Sequence, residues 1–257
     1  MSRVIVALSG GKASFWCANW AFENYPKEDI VLYFNDTKWE HPDLYRFLGD
    51  IEKYFNHPIT ADSDGRSPED VFYDNHALAN NRMPFCSREL KAERLQNFFE
   101  DGDVLVFGIG VEEAHRAHRI VGVYQGIATK TDKWPTLVFP LISENMSRDE
   151  IDTFLINTGI RSPELYNLGF THNNCSGGCV RAGKKQWKLL YEKLPDVYMD
   201  RERVEREMRE WLGKDVSFFK DETLEHFRGR VERKELSAHY DTGEDVSECI
   251  GICTSQA

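Results

Sequence analysis

Two groups of residues in this chain have types and spacings suited to chemistry. The first is Ser9, Gly10, Gly11, Lys12, Ala13 and Ser14, set between the apolar run at residues 3–8 and a stretch with helical spacing of its apolar residues. A glycine turn that leaves a strand and enters a helix presents unpaired backbone N–H groups at the positive end of the helix dipole, and anions bind there. Gly10 and Gly11 permit the backbone conformations of a phosphate cradle, Ser9 and Ser14 add hydroxyl donors, and Lys12 adds positive charge. The spacing is neither that of the Walker loop nor that of the dinucleotide-binding GxGxxG turn. The second group is the cysteines: Cys86, the C-x3-C pair Cys175 and Cys179, and a second pair, Cys249 and Cys253, near the end of the chain. Their chemistry is metal ligation, redox exchange or nucleophilic attack. Cys17, on the apolar face of the first predicted helix, is expected in the core.

The elements that must position these groups alternate over the first two-thirds of the chain. Residues 3–8, 29–34, 57–62 and 103–110 read as strands. Residues 14–23, 43–55 and 88–99 read as helices, and a further helix follows residue 110. Residues 136–142 read as extended. Ser67 with Pro68 and Asp70, and Ser147 with Glu150, predict capped helix starts. This rhythm predicts a doubly wound, mostly parallel α/β sheet. From residue 169 the texture changes to a Gly/Asn/Cys loop and three charged helical segments at 184–193, 200–212 and 222–234. The expected organisation is a nucleotide-binding domain at 1–168 and a helical, cysteine-bearing lobe and tail at 169–257. At the predicted end of the second strand, Asp36 suits a ribose or metal contact, or an Asx turn.

Composition narrows the classes. With 32 basic and 43 acidic residues the net charge is −11, which argues against a protein devoted to non-specific nucleic-acid binding. A local basic face remains, around Arg181, Lys184, Lys185 and Lys188. No stretch is long and apolar enough to span a membrane, and the first residues lack a signal-peptide cleavage site, so a cytoplasmic location is expected. In such a reducing compartment the cysteines are not a disulfide framework.

The segment "SGGKAS" is similar to the SGGxDS pyrophosphate loop of the adenine-nucleotide α-hydrolase (PP-loop) superfamily, with Ala13 in place of the usual Asp. "YFNDTKWEHPDLYRF", "CSRELK", "GIGVEEAHR" and "SPELYNLGFTHNNCSGGC" resemble, in order, segments of phosphoadenylylsulfate and adenylylsulfate reductases over residues 1 to about 183. The resemblance implies that Ser9, Gly10, Gly11, Lys12, Ser14, Asp36, Gly108 and Glu113 bind an adenine nucleotide. It also implies that Lys12 and Arg116 act on the phosphate charge, and that Lys91 is either a phosphate contact or part of a helix coat. Cys86, Cys175 and Cys179 fall where the reductases hold iron–sulfur ligands. Ser87 replaces the family's second adjacent cysteine, so Cys249 or Cys253 completes the set, or one iron stays open; the cofactor implied is a 4Fe–4S cluster, with zinc as the alternative metal and no metal as the third case. Cys249, after Glu248, is similar to the nucleophile of the phosphoadenylylsulfate reductases. ATP or an adenylylsulfate is the implied nucleotide, with magnesium as an optional companion.

Three readings of function stand on these residues. In the first, a PP-loop ATP pyrophosphatase adenylates an acceptor and transfers sulfur to it with the help of a cluster or cysteines, drawing on a sulfur donor; a nucleic acid is one candidate acceptor. In the second, a sulfonucleotide reductase uses Cys249 as nucleophile and a thiol reductant. In the third, the protein binds nucleotide without turnover.

Overall fold

The computed structural model describes residues 2–236. Cys249 and Cys253, and every expectation that rests on them, lie outside the described residues. Five parallel strands form one sheet, β1 (Val4–Ala7), β2 (Ile30–Asn35), β3 (Ile59–Asp62), β4 (Val104–Phe107) and β5 (Thr136–Val138), in the order β3-β2-β1-β4-β5. The doubly wound α/β fold is therefore present, with helices crossing over both faces. β1 is the centre: Val4 pairs with Ile30 on one side and Val104 on the other, and Val4, Ile5 and Val6 are at most 2 % exposed. A strand covered on both faces reads as an unbroken apolar run rather than an alternation.

The helices in chain order are α1 (Lys12–Asn24), α2 (Pro42–Phe55), α3 (Pro68–Asp74), α4 (Phe85–Ser87), α5 (Glu93–Phe98), α6 (Ala114–Thr131), α7 (Pro140–Ser143), α8 (Arg148–Thr158), α9 (Glu164–Asn167), α10 (Lys184–Lys193), α11 (Pro195–Leu212) and α12 (Leu224–Glu232). A π-helical turn, Arg88–Ala92, joins α4 to α5. Both capping boxes read from the sequence are formed: Ser67 with Asp70 opens α3, and Ser147 with Glu150 opens α8. One sheet face is packed by Phe15, Phe47, Ile51 and Leu155, the other by Leu95, Phe99, Ile120 and Tyr124.

Three local expectations are corrected. Residues 136–142 are not one extended run, because Pro140 sits in the first turn of α7 and the strand ends at Val138. α11 starts at Pro195 rather than at residue 200, again with proline in the first turn. The stretch around residues 181–188 is not simply a solvated face: Trp187 is fully buried, and Lys184 donates to Asp221 Oδ2 (2.7 Å) and Glu222 Oε1 (2.6 Å).

The last three helices have no separate core. Trp187, Tyr198, Met208 and Phe227 pack in one cluster with Trp39, Phe72, Leu78 and Leu90 from the first part of the chain. The consequence for the site is that the lobe is fixed against the strand ends, with the loop at residues 169–179 clamped between.

Candidate functional site

Reversal of strand order between β1 and β4 opens a crevice above the strand ends, where α/β sheets take their ligands. The glycine hairpin rises there from β1. Gly10 has φ +78°, and a Cβ on it would stand 2.8 Å from Leu44 Cγ, so the position requires glycine on both counts. Gly11 is the N-cap of α1, with no side-chain cap and no acid in the first turn, which leaves the first amides of a 13-residue helix open to an anion. Ser14 is buried; its hydroxyl donates to Gly11 O (2.9 Å) and accepts from Ser9 N (3.1 Å), which shapes the turn from inside. Gly108, just past β4, lets the two strand ends close up: a Cβ there would be 3.0 Å from Ser14 N.

A cavity of about 310 Å³ lies in this crevice, lined by Lys12, Ala13, Gly108, Glu113, Asp152 and Tyr166 among others. That is room for a small ligand. Lys12 Nζ is ion-paired with Asp152 Oδ1 and lies 4.3 Å from the centre of the Tyr166 ring. Arg116, almost fully buried, donates to Glu113 Oε1 (2.7 Å), which places a cationic head beside the cavity wall.

The cysteine turn meets the hairpin directly. Asn173 Nδ2 donates to Gly10 O at 2.8 Å, two residues before Cys175. The turn itself is held by Glu40, a carboxylate whose side chain is 1 % exposed: Oε2 accepts from Cys175 N (2.6 Å), while Oε1 accepts from Thr37 Oγ1 (2.9 Å) and Lys91 Nζ (3.2 Å). Ser176 Oγ donates to Trp39 O (2.9 Å), and Gln186 Nε2 donates to Gly177 O (2.8 Å). Cys86, Cys175, Cys179, Lys91 and Arg181 line one cavity of about 20 Å³. The hydrogen bond shared with Cys179, burial and the Glu40 carboxylate together push the Cys175 thiol well above the usual cysteine range.

The family model of the phosphoadenosine phosphosulfate reductase domain matches residues 3–182. The chain belongs to that family. Phosphoadenosine phosphosulfate reductase domains are part of the PP-loop adenine-nucleotide α-hydrolase superfamily, and the family binds an adenine nucleotide substrate and typically a thiol reductant such as thioredoxin. No curated protein and no solved structure matches the chain.

Within this family fold, the residues singled out in the sequence fall into three sets. Lys12, Gly108 and Glu113 line the crevice, with Ser9, Gly10, Gly11 and Ser14 building the hairpin at its edge and Arg116 behind Glu113. Cys86, Cys175 and Cys179 share the small cavity. Asp36 lines neither: its Oδ1 accepts from Lys38 N (2.9 Å), closing an Asx turn, and from Tyr45 Oη (2.8 Å). Burial alone would raise the Asp36 pKa, but those hydrogen bonds outweigh it and hold the carboxyl below its ordinary value. Cys17 is core, as expected, at 0 % exposure.

Metal ligation fares differently. Among the described residues no group of three His, Cys, Asp or Glu side chains stands where it could hold a metal ion. The cavity between the three thiols has space for about one water molecule, far short of a four-iron cube. The residues present do not fit the 4Fe–4S cluster, or the zinc, that the resemblance implied. Sequence reading also missed Glu40, Asn173 and Asp152. Each acts through a partner more than 130 positions away in the chain, so no local pattern marks it.

Among the described residues no helix is long and apolar enough to cross a membrane.

Proposed function

We propose that this protein binds ATP or a related adenylyl nucleotide in the crevice above β1 and β4, and uses it to activate an acceptor for sulfur transfer by the cysteine thiols. Residues 1–168 supply the nucleotide site and residues 169–257 most of the sulfur chemistry. The observation that carries this reading is the bond from Asn173 to Gly10 O, which ties the thiol turn to the phosphate hairpin. The intact Gly-Gly-Lys of the hairpin favours ATP.

In this reading the open amides at the start of α1 and the Ser9 and Ser14 hydroxyls take the phosphates. Lys12 leaves Asp152 for the polyphosphate, and Arg116 offsets the charge that builds on the leaving group. The acceptor oxygen attacks the α-phosphorus, pyrophosphate departs, and sulfur then displaces AMP. Ala13, where the superfamily usually has Asp, removes one carboxylate from the hairpin and leaves its amides untouched. The setting proposed is the reducing cytoplasm, and a nucleic acid is one acceptor the reading admits.

A second reading, reduction of an adenylylsulfate, is favoured by the family match and by Cys249 following Glu248 in the tail. One assay separates them. ATP incubated with the protein and a thiol yields AMP and pyrophosphate if the first holds; thiol-dependent sulfite release from an adenylylsulfate, with no pyrophosphate from ATP, selects the second. Nucleotide binding with neither product leaves a binding protein.

A further inference from the structure

Cys175 and Cys179 are placed to react with each other. Their thiols share a hydrogen bond, and the backbone is left-handed at Cys175 (φ 50°), Ser176 (φ 52°) and Gly177 (φ 81°) in succession. Two consecutive non-glycine residues in that region each cost on the order of 1–3 kcal/mol and persist only where the surroundings enforce them. Here the enforcement is visible in Glu40 on Cys175 N, Trp39 O on Ser176 and Gln186 on Gly177 O. With the donor set unsuited to a metal, the strained turn has one evident product, two sulfurs held together.

The charges around the turn suit thiol exchange. Lys91 and Arg181 line the same cavity. Arg201, from α11 and so beyond the family-matched segment, is 4 % exposed and lies with its guanidinium 3.5 Å over the Trp39 ring. Its Nε has no hydrogen-bond partner, and it faces Gly178, where a Cβ would stand 3.4 Å away. Buried cations close to a thiol favour anionic sulfur.

We propose that Cys175 and Cys179 are an internal dithiol/disulfide couple that completes sulfur transfer, a role that rests on the nucleotide-activation reading above. One thiol takes a sulfane sulfur from a persulfide donor; the donor's S–S bond breaks and the donor leaves as a thiol. The terminal sulfur attacks the adenylated acceptor, a C–S bond forms and AMP leaves with the oxygen. The second thiol, its proton released to water, attacks the first cysteine's sulfur. The electron pair of the old S–S bond leaves on the acceptor's sulfur, which takes up a proton, and the Cys175 to Cys179 disulfide closes. Two thiols are thereby oxidised and one sulfane sulfur is reduced. An external dithiol resets the couple by exchange.

The full-length protein tests this in mixtures of oxidised and reduced dithiothreitol, with alkylation and peptide mapping by mass spectrometry. The expected result is a Cys175 to Cys179 disulfide, lighter by two hydrogen atoms, that forms and reverses with the mixture while Cys17 stays free. In C175S and C179S, glutathione disulfide should leave a mixed disulfide on the remaining thiol that persists roughly tenfold longer than in the unaltered protein, which resolves it internally. Independent alkylation of both thiols at every ratio overturns the proposal, as does pairing of either with Cys249 or Cys253. Stoichiometric iron in protein purified without oxygen, lost in either serine variant, also overturns it. Calorimetry with ATP on C175S and C179S keeps the two ideas apart: retained binding with no internal disulfide sinks the couple alone, whereas no binding in the unaltered protein sinks the nucleotide reading. Should the serine variants fail to fold, the mapping of the unaltered protein decides.

Discussion

A single methyl group probes the hairpin. Gly10→Ala forces a side chain into left-handed backbone and into Leu44, and it should cost about 2–4 kcal/mol, read as a thermal midpoint lower by roughly 5–15 °C. Lys12→Ala leaves the fold intact and should weaken ATP binding roughly 10- to 100-fold by calorimetry, as expected for about 1.5–3 kcal/mol from a charged hydrogen bond. AMP, with fewer phosphates, should lose less. Asp152→Asn points the other way: it frees Lys12 from its resident anion, and ATP affinity should rise. Lys12 was legible in the sequence because its neighbours Gly10, Gly11 and Ser14 carry the pattern. Asp152 was not, since its only signal is position on a helix that folding brings across the crevice.

At the scale of elements, the strand and helix rhythm was readable wherever burial was simple. β1 is covered on both sides and shows it as Val-Ile-Val; α3 and α8 announce their first turns through Ser67 with Asp70 and Ser147 with Glu150. Failures came where proline redefined a boundary, at Pro140 and Pro195, and at the thiol turn, whose shape is imposed from outside by Glu40, Trp39 and Gln186. Glu40 is the element-scale keystone. Glu40→Gln removes the charge that compensates buried Lys91 and should destabilise by about 3–5 kcal/mol in denaturant unfolding, with Lys91→Met recovering part of the loss in the double variant. Gly177→Ala brings a Cβ within 2.6 Å of the Phe170 ring and should disturb the turn and raise the accessibility of Cys175 and Cys179 to alkylation, while ATP binding changes little.

For the whole molecule, acidity and the shared core set the terms. Glu205 in α11 accepts from Phe218 N (2.8 Å) and Leu224 N (2.7 Å), and burial raises its pKa from 4.5 to about 7. Between those values the folded chain holds a proton that the unfolded chain has released, so this group's stabilisation is complete below about 4.5 and is lost as pH climbs through about 7. The thermal midpoint should therefore fall from pH 5 to pH 8. Glu205→Gln should start lower, having lost the acceptor for one of two amides, and lack that limb of the slope. The helical lobe was foreseen from its change of texture, but its dependence on the rest was not, because helical spacing shows which face is apolar and not what it meets. Trp187, Tyr198 and Phe227 complete the packing of Trp39, Phe72 and Leu90. A fragment cut at residue 182, where the family match ends, would strand those aromatic and aliphatic partners in water; it should aggregate on expression even though every hairpin residue is present.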